Sequence, residues 1–507
     1  MKSKQALRTT LFGNRVYRLS LKMRAEFTDW APPEPWLGDS DRTPKMITQT
    51  DPAAPAFLRW HGFSWLADLK ALDTDAARDK ARALITAWAE DNGDWRAETW
   101  RTDILGDRLT HWLSHRAWIC DTAFDHLLGA QAHHLNRWAG RPDAGADALS
   151  GIRGWLATTL AFSNLRQRLS VVLGALEGQI ESQIKADGGH WERSPERHCT
   201  GLANFVHMRA MLVAAQAEVP QILCETIARM TPMLRAYRHG DGGFAVFNGS
   251  SEGTKVKIDR VLSLAGSRGC AAASAPHTGF HRLTAKRATV IVDTGAPVDA
   301  FPLTPGHAGT LAFEFSLGKR RLVVNCGSAT AGPLREALRG TSAHSTLIVD
   351  DTHSSDLIEG GGFGPRRVRH VEVRRRETDG NLLIEAEHDG YRETFGLFHR
   401  RALYLAALGD ELRGEDMLEG ELGETKPFQL RFHLHPEVRG NLVEAGSEVL
   451  LVFPRGQGWR FQASGGVVSV EESLYFGGGE RRRCWQIIVS AVFQHPKSLI
   501  KWRFSQA

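Results

Sequence analysis

From about residue 60 to residue 240, apolar residues recur three or four apart, the spacing of amphipathic helices. Segments 76–92, 101–118, 122–140, 147–164, 165–186, 195–217 and 225–237 each carry it. Breakers separate them at roughly 20–25-residue intervals, as in antiparallel helix pairs that stack as a bundle, a solenoid or a ring. After residue 278 the period changes to two. Segments 288–293, 310–316, 320–325, 345–350, 366–376, 382–388, 428–434, 449–453, 467–470 and 485–492 read as strands, and their turn signals indicate an antiparallel sandwich. The expected organisation is an N-terminal arm over 1–55, a helical domain over 56–250, a Ser/Gly/Ala-rich linker over 251–277 and a β-sandwich over 278–507. In the arm, Pro32, Pro33 and Pro35 make an extended stretch that lies over the helical domain.

Between two of the helices lies the polar turn 187–198, DGGHWERSPERH. Gly188 and Gly189 suit a helix stop, and Ser194-Pro195 suits a helix start. The turn gathers His190, Trp191, Glu192 and Arg193, with Arg197 and His198 in the first turn of the next helix. Imidazoles, a carboxylate, guanidiniums and an indole together suit acid–base work on a sugar acid, and the helix N-terminus favours an anion. The plainer reading is a polar turn whose side chains cap helices. The glycine-rich 238–249 lacks the lysine and hydroxyl of a phosphate loop. It reads as a turn out of the helical domain, with Asp241 and Asn248 lining the cleft.

Composition narrows the classes. Net charge is +5 over 507 residues, with 42% hydrophobic and 24% charged residues. No basic run joins an aromatic strand motif, so nucleic acid is not expected, while a mildly basic surface suits an acidic polysaccharide. The cysteines at 120, 199, 224, 270, 326 and 484 are dispersed and form no CxxC pair, against a disulfide framework or a thiolate zinc site. No apolar run reaches the ~20 residues of a membrane span. Residues 1–23 lack the apolar core of a signal peptide. The expected compartment is the cytoplasm, with the periplasm as the alternative if the chain starts upstream or is exported by another route. The pattern specifies no oligomeric state. Twelve of fifteen tryptophans fall at or before Trp191. Most read as core; Trp191, among polar neighbours, is the candidate sugar-stacking platform.

In the β half, His307, Asn325 and His344 each sit at a strand end. Two imidazoles and a further donor could hold a divalent metal such as zinc with an open position; histidines bonded to backbone are the plainer reading. Cys326 reads as a small buried thiol, and His433 and His435 as packing.

Residues 187–195 (DGGHWERSP), 306–315 (GHAGTLAFEF), 324–327 (VNCG) and 341–346 (TSAHST) resemble the heparinase II/III-like polysaccharide lyases, over most of the chain. The resemblance implies an incomplete α/α toroid followed by a C-terminal antiparallel β-sandwich, with a uronic-acid polymer in the cleft between them and cleavage by β-elimination. One group neutralises the carboxylate, a base takes the C5 proton, and an acid protonates the leaving oxygen; tyrosine and histidine usually share the last two roles. The chain departs from the pattern at three points. Arg197 stands where such lyases carry tyrosine, Pro305 where they carry histidine, and Asn325 where a carboxylate is often the second metal ligand. None of the five tyrosines, at 17, 237, 391, 404 and 475, sits in the expected motif.

The expected assignment has His190 or His198 moving the proton, since an arginine stays protonated. Arg193 or Arg197 grips the carboxylate of an acidic polysaccharide or oligosaccharide. Trp191, Glu192, Asp241 and Asn248 bind the substrate, and His307, the third catalytic candidate, flanks the cleft with His344. Two alternatives stand beside it: a non-catalytic glycan-binding relative, and a glycoside hydrolase using Glu192 with Asp241.

Overall fold

The computed structural model describes residues 12, 15–21, 26–41, 55–119, 122–139, 148–266, 268–299, 306–329, 332–421, 423–443, 446–454 and 458–507. Pro305, Cys120 and much of the expected arm lie outside the described residues. The chain divides into two compact units: Met1–Gln183 with Gly201–Ile227, and Ile184–Thr200 with Ala228–Ala507.

The first unit is helical, with helices Pro55–Gly62, Leu66–Leu72, Asp75–Asn92, Thr102–Ile119, Thr122–Trp138, Ala148–Ala161 and Leu169–Gln183. Asp75–Asn92 starts where expected because the Thr74 hydroxyl accepts the Ala77 N–H at 3.2 Å. Thr102–Ile119 and Ala148–Ala161 meet backbone to backbone. A Cβ on Gly106 would lie 2.1 Å from the Ser150 carbonyl oxygen, and one on Gly154 2.3 Å from the Gly106 Cα. Beside this contact the fully buried Arg108 lies over the Trp88 ring at 4.7 Å. It donates to Gln131 Oε1 at 2.6 Å and to the carbonyls of His61 and Thr99 at 3.0 and 2.9 Å. Its Nη2 has no hydrogen-bond partner among the described residues, and burial takes its pKa down to about 9. The arm's Pro33 and Glu34 are held in this unit.

In the second unit the sandwich is built from two antiparallel sheets. One runs β1 (Ser274–Ala275), β2 (Phe280–Ala285), β3 (Ala288–Asp293), β4 (Phe313–Leu317), β5 (Arg320–Val324), β11 (Pro427–Leu434), β16 (Arg482–Val492) and β15 (Val467–Tyr475), with β6 (Leu347–Val349) on β11. The other runs β12 (Arg439–Leu442), β13 (Glu448–Val452), β14 (Trp459–Ser464), β17 (Lys497–Gln506), β10 (Glu411–Gly420), β9 (Leu397–Leu405), β8 (Asn381–Tyr391) and β7 (Val371–Thr378). Leu283, Val290, Phe313, Phe315, Leu403, Phe432, Phe461, Trp502 and Phe504 belong to one buried cluster.

The expected linker 251–277 holds a helix, Lys255–Ala265, with Ile258, Val261 and Ala265 buried. Its apolar spacing was hidden by the Ser, Gly and Ala around it. A second correction concerns β10. Its sequence, ELRGEDMLEG, gave no strand reading because a core position is occupied by Asp416. Asp416 is buried but fully engaged. Arg401 Nε donates to Oδ1 at 2.8 Å, His399 Nε2 lies 2.7 Å from the same oxygen, and Trp502 Nε1 donates to Oδ2 at 2.8 Å. The proton order follows from one end. His388 Nδ1 accepts the Gly390 N–H at 3.0 Å, so its Nε2–H donates to His399 Nδ1 at 3.2 Å, and His399 Nε2–H donates to Asp416.

Two outcomes check this reading. Gly154→Val should destabilise the protein by about 1–3 kcal/mol, since no methyl fits against Gly106. Burial alone would raise the Asp416 pKa, but the Arg401 charge and the His399 hydrogen bond bring it from 3.8 to about 2. A lowered folded-state value gives stability that is complete above the unfolded value and lost as the pH falls through the folded one. The wild-type advantage over Asp416→Asn should therefore shrink by about 2 kcal/mol as the pH falls from about 4 to 2 in urea unfolding.

Candidate functional site

The candidate catalytic, substrate-binding and metal-ligating residues of the sequence all lie in the second unit. The turn after Leu169–Gln183 is fixed by its own backbone and by one carboxylate. Lys185 N–H donates to the Gly189 carbonyl at 2.8 Å. Asp187 accepts from Gly189 N at 3.1 Å, Thr278 N at 2.7 Å and Thr278 Oγ1 at 2.5 Å. Gly188 has φ +84°, and a Cβ there would stand 2.3 Å from the Arg229 carbonyl oxygen. Glycine at 188 thus serves both conformation and close approach.

Arg193 is the centre of the arrangement. Its φ of 58° turns the chain back. The guanidinium donates to the carbonyls of Thr278 and Ala296, each at 2.7 Å, and pairs with Asp293 at the end of β3. It also lies over the Phe280 ring at 5.1 Å. Asn248 Nδ2 donates to Asp293 Oδ2 at 3.2 Å and to the Arg193 carbonyl at 3.1 Å. Arg193, Asn248 and Asp293 are buried. The expected roles of Arg193 in gripping a carboxylate and of Asn248 in binding substrate are therefore corrected: their donors are committed inside the protein. Asp293, the partner that completes the set, was missed because it reads as an ordinary strand end.

The histidines are equally enclosed. His198 is wholly buried, and its Nε2–H donates to the Met230 carbonyl at 2.9 Å. Burial takes its pKa down to about 4, against the carbonyl hydrogen bond that raises it. His190 is buried, and burial first, then His198 and Arg197, push its pKa well below the usual histidine range. Tyr237, placed by sequence outside any motif, packs edge-on against His198 with ring centroids 5.4 Å apart. Its phenol is driven upward by burial. Glu192, also buried, accepts from Arg197 Nε at 3.0 Å. Of this turn, Asp187, Trp191, Glu196 and Arg197 reach solvent in part, with the Arg197 side chain 23% exposed.

Asp241 accepts from Arg321 Nε at 2.7 Å and Gly243 N at 2.8 Å. Burial would raise its pKa, but the Arg321 hydrogen bond and charge lower it. Glu192 and Asp241 are each bonded to an arginine, and the lowered Asp241 is not the raised-pKa acid that paired-carboxylate hydrolysis requires.

The sandwich brings His307 and His344 together, but not as an open metal site. His344 Nδ1–H donates to the Gly340 carbonyl at 2.8 Å. His307 Nδ1–H therefore donates to His344 Nε2 at 3.1 Å, a contact that a metal ion on His344 would have to displace. Asn325 is turned elsewhere. Its Oδ1 accepts the Ser345 N–H at 3.0 Å, and its Nδ2 faces Glu314 Oε1 at 3.3 Å. The expected ligand set His307, Asn325 and His344 is thus corrected to a hydrogen-bonded pair and a backbone clip. Glu314, unremarked in the sequence, is the hub beside it. Fully buried, it accepts from Val246 N at 2.9 Å, Asn325 N at 3.1 Å and His239 Nε2 at 2.9 Å. Cys326 Sγ lies 3.4 Å from His433 Nδ1. Burial raises that thiol to about 12 and lowers His433 to about 3, so no thiolate–imidazolium pair forms.

Removing one partner of the Arg193–Asp293 pair leaves a buried charge uncompensated. Asp293→Ala should therefore cost about 3–5 kcal/mol in urea unfolding. Trp191→Ala should cost far less, since that ring is partly exposed.

Comparison with known proteins places this geometry in a setting. Residues 268–503 match the family model described as heparinase II/III-like, C-terminal. A relative from Caulobacter vibrioides (strain NA1000 / CB15N), FtsZ-localized protein C, is 31% identical over 476 residues, spanning 88% of this chain and 81% of the relative. A crystal structure of heparinase III matches with a TM-score of 0.71 and 14% identity over 92% of this chain and 79% of that one. The heparan sulfate lyase HepC from Pedobacter heparinus matches at 0.62 and 15% identity over 91% and 78%. At such identities the likeness shows the fold: an α/α toroid followed by an antiparallel β-sandwich. Among the described residues, no helix is long and apolar enough to cross a membrane.

Proposed function

The chain belongs to the heparinase II/III-like family, and from that premise we propose that it binds an acidic, uronic-acid-containing polysaccharide or oligosaccharide without cleaving it. One observation carries the reading: both candidate bases on the turn, His190 and His198, are buried, with pKa values displaced below the neutral range. A general base for C5 proton abstraction must reach the substrate and titrate near the working pH. Neither imidazole meets both requirements. Arginine at 197 supplies charge but no base.

Recognition falls to Trp191 and Arg197, since the other partly exposed residues of the turn, Asp187 and Glu196, are acidic and accept hydrogen bonds from Thr278 and Ser251. The Trp191 indole offers a face for a sugar ring, and Arg197, positioned by Glu192, faces the uronate carboxylate. The relative is named for its localisation with FtsZ rather than for a reaction, which accords with a binding role.

Elimination keeps one observation in its favour. His198 and Tyr237, the residue types that divide base and acid duties in such lyases, pack ring against ring. The two readings part in a single experiment. Acidic glycans of differing uronate content are titrated by calorimetry while absorbance reports unsaturated uronate. Binding should appear, weaken by about tenfold or more in Trp191→Ala, and yield no unsaturated product. Product that forms in wild type and vanishes in Tyr237→Phe would establish elimination instead; no binding to any glycan would remove the proposal altogether.

A further inference from the structure

The helical unit holds a second cluster of metal-ligating groups that owes nothing to the turn. His111 and His115 are four residues apart on Thr102–Ile119, and so share one face of that helix. Glu34 from the arm comes to the same face. Its Oε2 lies 3.1 Å from His111 Nδ1. One ring nitrogen of each histidine and one oxygen of Glu34 all lie within 4.8 Å of one another. Tetrahedral bonds of about 2.1 Å set ligand atoms about 3.4 Å apart, so closing the set round an ion needs side-chain movement of up to about 1.4 Å.

The surroundings fix the donors as a metal site needs them fixed. His115 Nδ1–H donates to the His111 carbonyl at 2.9 Å, leaving Nε2 as the lone pair of that ring. Glu34 is oriented from both sides. Trp36 N–H donates to its Oε1 at 3.3 Å, and His207 Nε2–H donates to the neighbouring Pro33 carbonyl at 2.9 Å. His207 Nδ1 is then a buried lone pair with no hydrogen-bond partner among the described residues. The Glu34 and His111 side chains are 16% and 9% exposed, so the cluster is shielded yet not sealed.

The geometry points to a first-row divalent metal ion, zinc in particular, bound by Glu34, His111 and His115, fastening the arm to the helical unit. Two imidazoles and one carboxylate select such an ion over magnesium or calcium, and three protein ligands leave a fourth position for water. The site is separate from the His307–His344 pair, which lies in the other unit.

The whole chain, freed of metal by dialysis against a chelator, is titrated with Zn2+ in competition with a chromophoric chelator. Wild type should bind about one equivalent per chain, and zinc should raise the melting temperature, because an ion bound to the folded state alone stabilises it. Glu34→Gln and His115→Ala should each weaken binding by about 100-fold, and His307→Ala should leave it unchanged. Circular dichroism establishes that each variant is folded. Should His115→Ala fail to fold, Co2+ bound to wild type decides, since its visible spectrum reports a four- or five-coordinate nitrogen–oxygen site. No Zn2+ bound by folded wild type, an octahedral Co2+ spectrum, affinity indifferent to Glu34→Gln, or loss of binding in His307→Ala would each overturn the assignment. The Glu34–His111 contact would then be an ion pair alone.

Discussion

The buried pair between Arg193 and Asp293 is the fastening on which the second unit depends. It joins the turn at 184–200 to the end of β3, and it is dressed on every side. Carbonyls of Thr278 and Ala296 take the remaining guanidinium donors, while Asn248 bridges Asp293 to the Arg193 carbonyl. Two charges taken out of water cost several kcal/mol each, recovered only where geometry is good and every polar atom is bonded. Here those conditions are met by residues from four stretches far apart in sequence.

The same economy recurs at Glu314 and at Asp416. Each is a carboxylate in the dry interior of the sandwich, and each gathers backbone or side-chain donors around itself. Arg321, His239 and Asn325 surround the first; Arg401, His399 and Trp502 surround the second. His239 belongs to the first network and His399, with His388 behind it, to the second, and burial lowers the pKa of all three. What looks in sequence like a store of catalytic groups is, in three dimensions, largely a set of internal ties. The family fold is kept, and the polar residues that mark the family are spent on holding it.

The sequence made the architecture legible because periodicity is local. Helices appear where apolar residues recur at three and four, and the main sandwich strands where they alternate. It failed where tertiary context overrode local composition. Asp416 broke the alternation of β10, and Ser, Gly and Ala disguised Lys255–Ala265. β17 was legible but unread: Ile500, Trp502 and Phe504 alternate with Lys501 and Arg503. The site was less legible for a different reason. Sequence shows which groups are near in the chain, and the turn did gather His190, Glu192 and Arg193. It does not show which of them face inward. Arg193 and His198 read as functional because they are polar; burial and the reach of Asp293 and Met230 decide otherwise.

The imidazoles near the turn and at the sandwich's strand ends are buried, and burial holds them neutral. Nitrogen NMR of histidine-labelled protein measures that directly, as ring shifts of His190, His198, His307 and His344 followed from about pH 5 to 8. The account predicts that all four stay neutral throughout, with His198 protonated at Nε2 and His344 at Nδ1. A midpoint near neutrality for His190 or His198 would contradict it and return those residues to the chemistry of the site.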